Sequence, residues 1–460
     1  VGSNFDRYGF KKGDIESYDQ WNSDYPEYEQ QNLIKWRRLL QTNGLLTTGI
    51  PKRFPPKSEK VKKLIRKGIP YDWRGNAWFF YAGGHEKLNR HVGVYEQILK
   101  DTEGVHNKDT EVIERDLNRT FPDNVYFNYN LQGKQCSTKT NNGANKKDQI
   151  NDSTSKNFVV QDNSNVRDSS IQPETPMIQK LRRVLVAFAH FNPQIGYCQL
   201  LNFLAGLLIL FMPEEHTFWM LIVLTERIIP KVHLQTLEGV HIDQGVLMLC
   251  VKEYIPELWE IIGRNFEGET ITADKILTRL PPVTLVTLSW FMSVFIGSLP
   301  IESVLRIWDI LWYEGSKTLF RISLTVSRMC MEHETGKKPT GSGGEADQIE
   351  YIQFMQNYPR TISDPNLLID RCFKKIGGYG FGSLSQDEIN QCREFVLKQR
   401  AKLSKKQGTI TTEMSEQERR FLEDDTAGHD VYGFHKSLMN GMVWNRNISN
   451  RMKKLTRRKN

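Results

Sequence analysis

Between residues 173 and 330 the chain reads as one apolar helical stretch after another, at 177–191, 197–212, 216–229, 243–262, 283–297 and 301–330, with proline as the recurring boundary. Each stretch has an apolar side that needs another to cover it. Strand alternation is scarce and Asn-Gly hairpin signals are absent from this region. No internal repeat of fixed period is visible. The fold class that follows is all-α. The longest apolar run, Leu200 to Met212, is too short to span a bilayer and stops at Pro213-Glu214-Glu215, so it reads as a buried helix.

The flanks differ in character. Residues 1–57 form an N-terminal extension in which Leu33 to Leu40 looks like a short amphipathic helix and Pro51 to Pro56 is a break. The main domain is placed at 58–330. It opens with Val61, Leu64 and Ile65 at helical spacing, ended by Gly68-Ile69-Pro70, and a second apolar helix starts at Arg74. Residues 128–170 are polar, Asn- and Ser-rich, with little to bury, and are predicted to be a disordered insertion within that domain. A flexible linker at 331–347 leads to a C-terminal helical part at 348–403. A charged tail, 404–460, ends in Arg451-Met452-Lys453-Lys454-Leu455-Thr456-Arg457-Arg458-Lys459.

Composition narrows the function classes. Hydrophobic residues are 39% of the 460, with ten Trp and twenty-three Phe, enough for a sizeable core. The net charge of +8 suits an acidic protein face or an anionic membrane, and equally a solvated surface. The basic tail reads as a solvated helix or as a membrane-surface patch. No nucleic-acid motif accompanies the charge. Six scattered cysteines, without a CxxC, point to a reducing compartment. The ten histidines form no HExxH, so no zinc site is supported. Gly336-Lys337-Lys338-Pro339-Thr340-Gly341-Ser342 lacks the order of a phosphate loop. No secretory signal precedes the first domain.

Two short segments carry the chemistry. In Ile113-Glu114-Arg115-Asp116-Leu117-Asn118-Arg119-Thr120, a helix would bury Ile113 and Leu117 together and bring Asp116 within reach of Arg119. Pro122 would end that helix, leaving Arg119 in its last turn. In Gly196-Tyr197-Cys198-Gln199, the glutamine is expected in the first turn of the apolar helix that follows, where an amide that both donates and accepts could orient a water. Taken separately, each segment also fits an ordinary polar helix end.

Arg74-Gly75…Trp78, then Ile113-x-x-Asp116-x-x-Arg119-Thr120-x-Pro122, then Asn192-Pro193-x-Ile195-Gly196-Tyr197-Cys198-Gln199-x-x-Asn202, resemble the signature regions of TBC domains, the GTPase-activating proteins of Rab GTPases. The likeness continues through Leu288-Ser289-Trp290-Phe291, Leu299-Pro300 and Arg306-Ile307-Trp308-Asp309, over roughly residues 60 to 330. Within the family the chain is most similar to the fungal Msb and Gyp subgroup. The resemblance implies a V-shaped domain of two helical subdomains. Arg119 would be an arginine finger and Gln199 a glutamine finger, both supplied in trans to a GTP-bound Rab. Asp116, Tyr197, Thr120 and Arg74 would be supporting or partner-contact positions, Asp116 bracing the arginine and Arg74, like Trp78, belonging to the framework. The protein would have no cofactor of its own, since GTP and Mg²⁺ come with the partner, and no stand-alone hydrolase site. It would be cytoplasmic, peripheral at sites of vesicle traffic or polarised growth. A non-catalytic Rab-binding scaffold on the same fold is the alternative. One departure stands out: the family usually has a small residue, often Gly, after the glutamine, and here it is Leu200.

Overall fold

The computed structural model describes residues 4–13, 15–45, 48–131, 174–264, 270–271, 280–334 and 345–410. Most of the expected insertion and linker, and the tail from 411 onward, lie outside the described residues. Within them there are eighteen α-helices, and β-pairing is confined to isolated bridges. The N-terminal half contains α1 (Ile15–Asn22), α2 (Tyr25–Thr42), α3 (Glu59–Lys67), α4 (Arg74–Tyr81), α5 (Gly84–Arg90), α6 (Val94–Asp101), α7 (Lys108–Leu117), α8 (Pro176–Phe191), α9 (Leu201–Ile209) and α10 (Glu214–Val223). The C-terminal half contains α11 (Glu238–Tyr254), α12 (Pro256–Ile262), α13 (Thr284–Met292), α14 (Ile301–Glu314), α15 (Lys317–Glu334), α16 (Glu345–Asn357), α17 (Pro365–Phe373) and α18 (Gln386–Ile410). No described helix is long and apolar enough to cross a membrane.

Local chemistry sets several of these boundaries. The Ser58 hydroxyl accepts from the Val61 N–H at 3.3 Å to cap α3, and Gly68, at φ +105, ends it. Asn107 and Thr110 form a reciprocal capping box at the start of α7. Thr175 caps α8, with Pro176 in its first turn. The apolar stretch 301–330 is two helices rather than one, because Gly315 at φ +86 stops α14. Pro256 likewise divides 243–262 into α11 and α12, since its ring cannot continue the preceding helix.

Two hubs organise the core. Helix α8 packs against α6, α7, α9 and α10, and α14 packs against α3, α4, α15 and α17. At Gly75 a Cβ would fall 2.0 Å from the Phe211 carbonyl oxygen, so α4 reaches the end of α9 only because this residue has no side chain. The N-terminal residues are built into the same core. Trp36 is fully buried, and its indole N–H and the Asn32 amide both donate to the Gly68 carbonyl, at 2.9 and 2.6 Å. The Tyr8 hydroxyl accepts from Arg74 at 2.7 Å and donates to Glu302. No break in packing therefore falls at residue 57. At the other end, Arg393 of α18 forms a forked pair with buried Asp243 of α11, at 2.6 and 2.9 Å.

Candidate active site

Helix α7 ends at Leu117, two residues before Arg119. The expectation that Arg119 sits in the last helical turn is corrected here. Proline at 122 would allow helix as far as 120, but side chains close the end sooner. The Thr120 hydroxyl donates to the Asp116 carbonyl at 2.7 Å, and the Asn202 amide donates to the Thr120 hydroxyl at 2.8 Å. Backbone bonds from Arg119 to Asp116 and from Thr120 to Leu117 tighten into three-residue steps, and Phe121 turns to φ +47. Gly206 of α9 admits this turn, since a Cβ there would meet Phe121 and Thr120 at 3.0 and 3.1 Å.

Gln199 is also outside a helix. Helix α9 begins at Leu201, with Leu200 at its N-cap in the left-handed region, φ +80. Gly196 is left-handed too, at φ +58, and a Cβ on it would come within 2.9 Å of an Asp109 carboxylate oxygen. Two left-handed residues thus bracket Tyr197, Cys198 and Gln199 and hold them in a loop, where the apolar spacing alone suggested a first turn.

One buried carboxylate joins the two segments. Asp116, 1% exposed, receives the Tyr197 hydroxyl at 2.6 Å and forms an ion pair with the Arg119 guanidinium. The arginine side chain itself is 54% exposed. Arg119 is therefore tethered at its root and open at its tip, and the same carboxylate fixes the loop that carries Gln199. Gln199 is half-buried. Burial pushes the Tyr197 hydroxyl well above its ordinary range, and the Asp116 charge adds to this, so it stays protonated and keeps its donor for Asp116. Burial, with a further contribution from Asp116, pushes the Cys198 thiol up to about 12, which makes it a poor nucleophile at neutral pH.

Arg74 is elsewhere. It is 1% exposed, paired with Asp309 at 3.2 Å and Glu302 at 3.4 Å, so all its contacts are internal. Trp78 donates to the same Asp309 at 2.8 Å. The structure thus brings together Arg119, Asp116, Thr120 and Tyr197, places Gln199 on the adjoining loop, and keeps Arg74 apart. Asn202 is the residue whose role sequence reasoning missed. Its signal was its place on the buried side of the helix after Gln199, where a polar side chain needs a partner.

Comparison with known proteins gives this arrangement a family. The model of the Rab-GTPase-TBC domain matches residues 127–334. GTPase-activating protein GYP3 of Saccharomyces cerevisiae is 39% identical over 520 residues, covering 99% of this chain and 75% of that protein. The chain belongs to the TBC-domain family. GTPase-activating protein MSB4 of the same yeast is 36% identical over 436 residues, covering 85% of this chain and 81% of its own length. The TBC fold is seen again in the Chlamydomonas flagellar RabGAP TBC domain, with a TM-score of 0.56 at 22% identity, over 81% of this chain and 100% of that one. Gln199 lies inside the segment matched by the family model and Arg119 just ahead of it. A Rab GTPase is the partner class that membership of this family implies.

Proposed function

We propose that this TBC domain accelerates GTP hydrolysis by a Rab GTPase by lending it Arg119 and Gln199. The observation that carries the reading is the shared anchor: buried Asp116 holds both the exposed arginine and, through Tyr197, the glutamine loop. Arg119 enters the partner's nucleotide site and balances charge developing on the phosphates. Gln199 orients the attacking water with an amide that both donates and accepts. GTP and Mg²⁺ arrive with the partner. An arginine supplied in trans is worth roughly 10³ to 10⁵ in GTPase rate, or about 4 to 7 kcal/mol of barrier. Preorganisation by a buried carboxylate lets that arginine act without reorganising at the moment of reaction. The cellular role is control of vesicle traffic, in exocytosis and polarised secretion, with the protein peripheral at those sites.

The deciding experiment is single-turnover GTP hydrolysis over a panel of Rab proteins, with wild type, Arg119→Ala and Gln199→Ala side by side. Stimulation of at least one Rab by wild type, and its loss in both variants, is expected. Lack of stimulation across the panel defeats the proposal. One observation favours a second reading, a Rab-binding scaffold: Leu200 sets a bulky side chain in a left-handed conformation directly after Gln199. Tight binding of GTP-loaded Rab with unchanged hydrolysis would select it.

A further inference from the structure

Residues 4–12 fold into a small hairpin that reaches the arginine turn from the N-terminal extension. The Asp6 N–H donates to the Phe10 carbonyl at 2.8 Å and the Lys12 N–H to the Asn4 carbonyl at 2.9 Å. The Asp6 carboxylate accepts from the Tyr8 and Phe10 N–H groups at 2.8 and 2.9 Å, which closes the turn. The hairpin then lies antiparallel to the chain just past Arg119. Phe10 bridges Asn124, the Lys11 N–H donates to the Asp123 carbonyl, and the Val125 N–H donates to the Gly9 carbonyl, both at 2.9 Å. Asn124 is fully buried and adds side-chain bonds. Its amide donates to the Tyr8 carbonyl at 3.0 Å, and its oxygen accepts from the Tyr126 N–H at 2.9 Å. Gly9 lets the two segments come this close. It is at φ +88, and a Cβ there would fall 2.8 Å from the Tyr126 ring and 2.9 Å from the Val125 side chain.

The hairpin grips the strained part of the arginine turn. Phe121, two residues after Arg119, is at φ +47, a conformation that a bulky L residue keeps only where its surroundings over-determine it. Phe127 and Phe203 pack on its ring, each at 5.4 Å between centroids, and Phe10 adds a third ring edge-on at 5.1 Å. The same hairpin is fixed to the core on its other side. The Tyr8 hydroxyl donates to Glu302 of α14 at 2.8 Å, and Arg7 pairs with that carboxylate at 2.6 Å. The rigidity of the buried charge network on α14 is thereby carried across to the turn that bears Arg119. An arginine acting through preorganised geometry is sensitive to such support, because a misplacement of about 1 Å can cost roughly 10²-fold in rate.

We propose that this N-terminal hairpin is a clamp on the arginine finger, with Phe10 as a positioning residue for stimulated GTP hydrolysis. The effect on rate rests on Arg119 acting as the finger, whereas the clamp itself does not. The full chain is therefore tested in two arms: hydrogen–deuterium exchange of the protein alone, and stimulated hydrolysis with a responsive Rab. Phe10→Ala should speed exchange of the amides within 119–127 roughly tenfold while leaving α11 unchanged. It should also lower kcat of stimulated hydrolysis roughly tenfold or more, with KM for the Rab within about twofold of wild type. Phe10→Tyr, which keeps the ring, should restore both readouts. Equal exchange in wild type and Phe10→Ala overturns the clamp. Faster exchange with unchanged kcat and KM overturns the positioning role, and a raised KM at unchanged kcat overturns it in favour of a Rab-docking contact. A wild type that stimulates no Rab defeats the finger reading instead, and the exchange arm still decides the clamp.

Discussion

At Arg119 what matters is shape as well as charge. The guanidinium is a planar fork that can bond Asp116 with one edge and a phosphate with another, which a lysine ammonium cannot reproduce. We therefore expect Arg119→Lys to lose nearly as much stimulated GTP hydrolysis as Arg119→Ala, roughly 10³-fold or more, in single-turnover assays with a responsive Rab. A lysine variant close to wild type would refute the forked-donor mechanism. Leu200 offers a second test at this scale. The small residue usual after the glutamine has a backbone explanation: the position is at φ +80, where an L side chain costs about 1–2 kcal/mol. Leu200 is half-buried against the core, and its packing offsets part of that strain. A β-branched side chain of equal volume keeps the burial and worsens the strain. Leu200→Ile should thus be less stable than Leu200→Gly by about 1 kcal/mol or more, measured by urea denaturation.

Among the elements, the junction between α7 and the loop before α9 decides the site. Thr120 and Asn202 end α7 early enough for Arg119 to leave the helix, and the Tyr197 hydroxyl fixes the opposite loop to the same carboxylate. Removing that hydroxyl leaves one oxygen of a buried carboxylate without its donor. Tyr197→Phe is expected to cost about 1.5–3 kcal/mol of stability. It should also lower stimulated hydrolysis more than Rab binding, because Gln199 loses its positioning. Equal stability of wild type and Tyr197→Phe in thermal melts would show that the bond contributes nothing. Gly206 belongs to this junction as well. The close approach of the Thr120–Phe121 turn to α9 depends on a position that the sequence presents as one small residue in an apolar helix.

For the whole molecule, buried charge ties together elements distant in the chain. Arg74, Asp309, Glu302, Arg7 and Tyr8 join the N-terminal segment, α4 and α14 in one network. Truncating one partner strands the others, so Arg74→Ala should destabilise the fold by about 3–5 kcal/mol, read from chemical denaturation. Acid sensitivity has a further source. Burial lowers the imidazoles of His233 and His241 from 6.5 to about 4. A histidine depressed in the folded state contributes stability that is complete above its unfolded value and is lost as pH falls toward its folded one, since the unfolded chain then binds more protons. The urea midpoint should therefore fall between pH 6.5 and pH 4, and substituting His233 with an uncharged residue should flatten that slope.

The succession of apolar helical stretches already made the chain all-α, and Asp116 with Arg119 was legible as a pair from its i, i+3 spacing. Spacing within a segment is enough for such readings, because helix periodicity and neighbouring charges are local. It could not show that Gln199 lies outside its helix, that Leu200 is left-handed, or that residues before 58 are core. Those depend on which distant groups meet: Asn202 on Thr120, Tyr197 on Asp116, Trp36 on the Gly68 carbonyl. Hydrogen bonds and close packing between segments far apart in the chain overrule local helix preference where buried polar groups must be paired, and only the tertiary structure decides which partners they find.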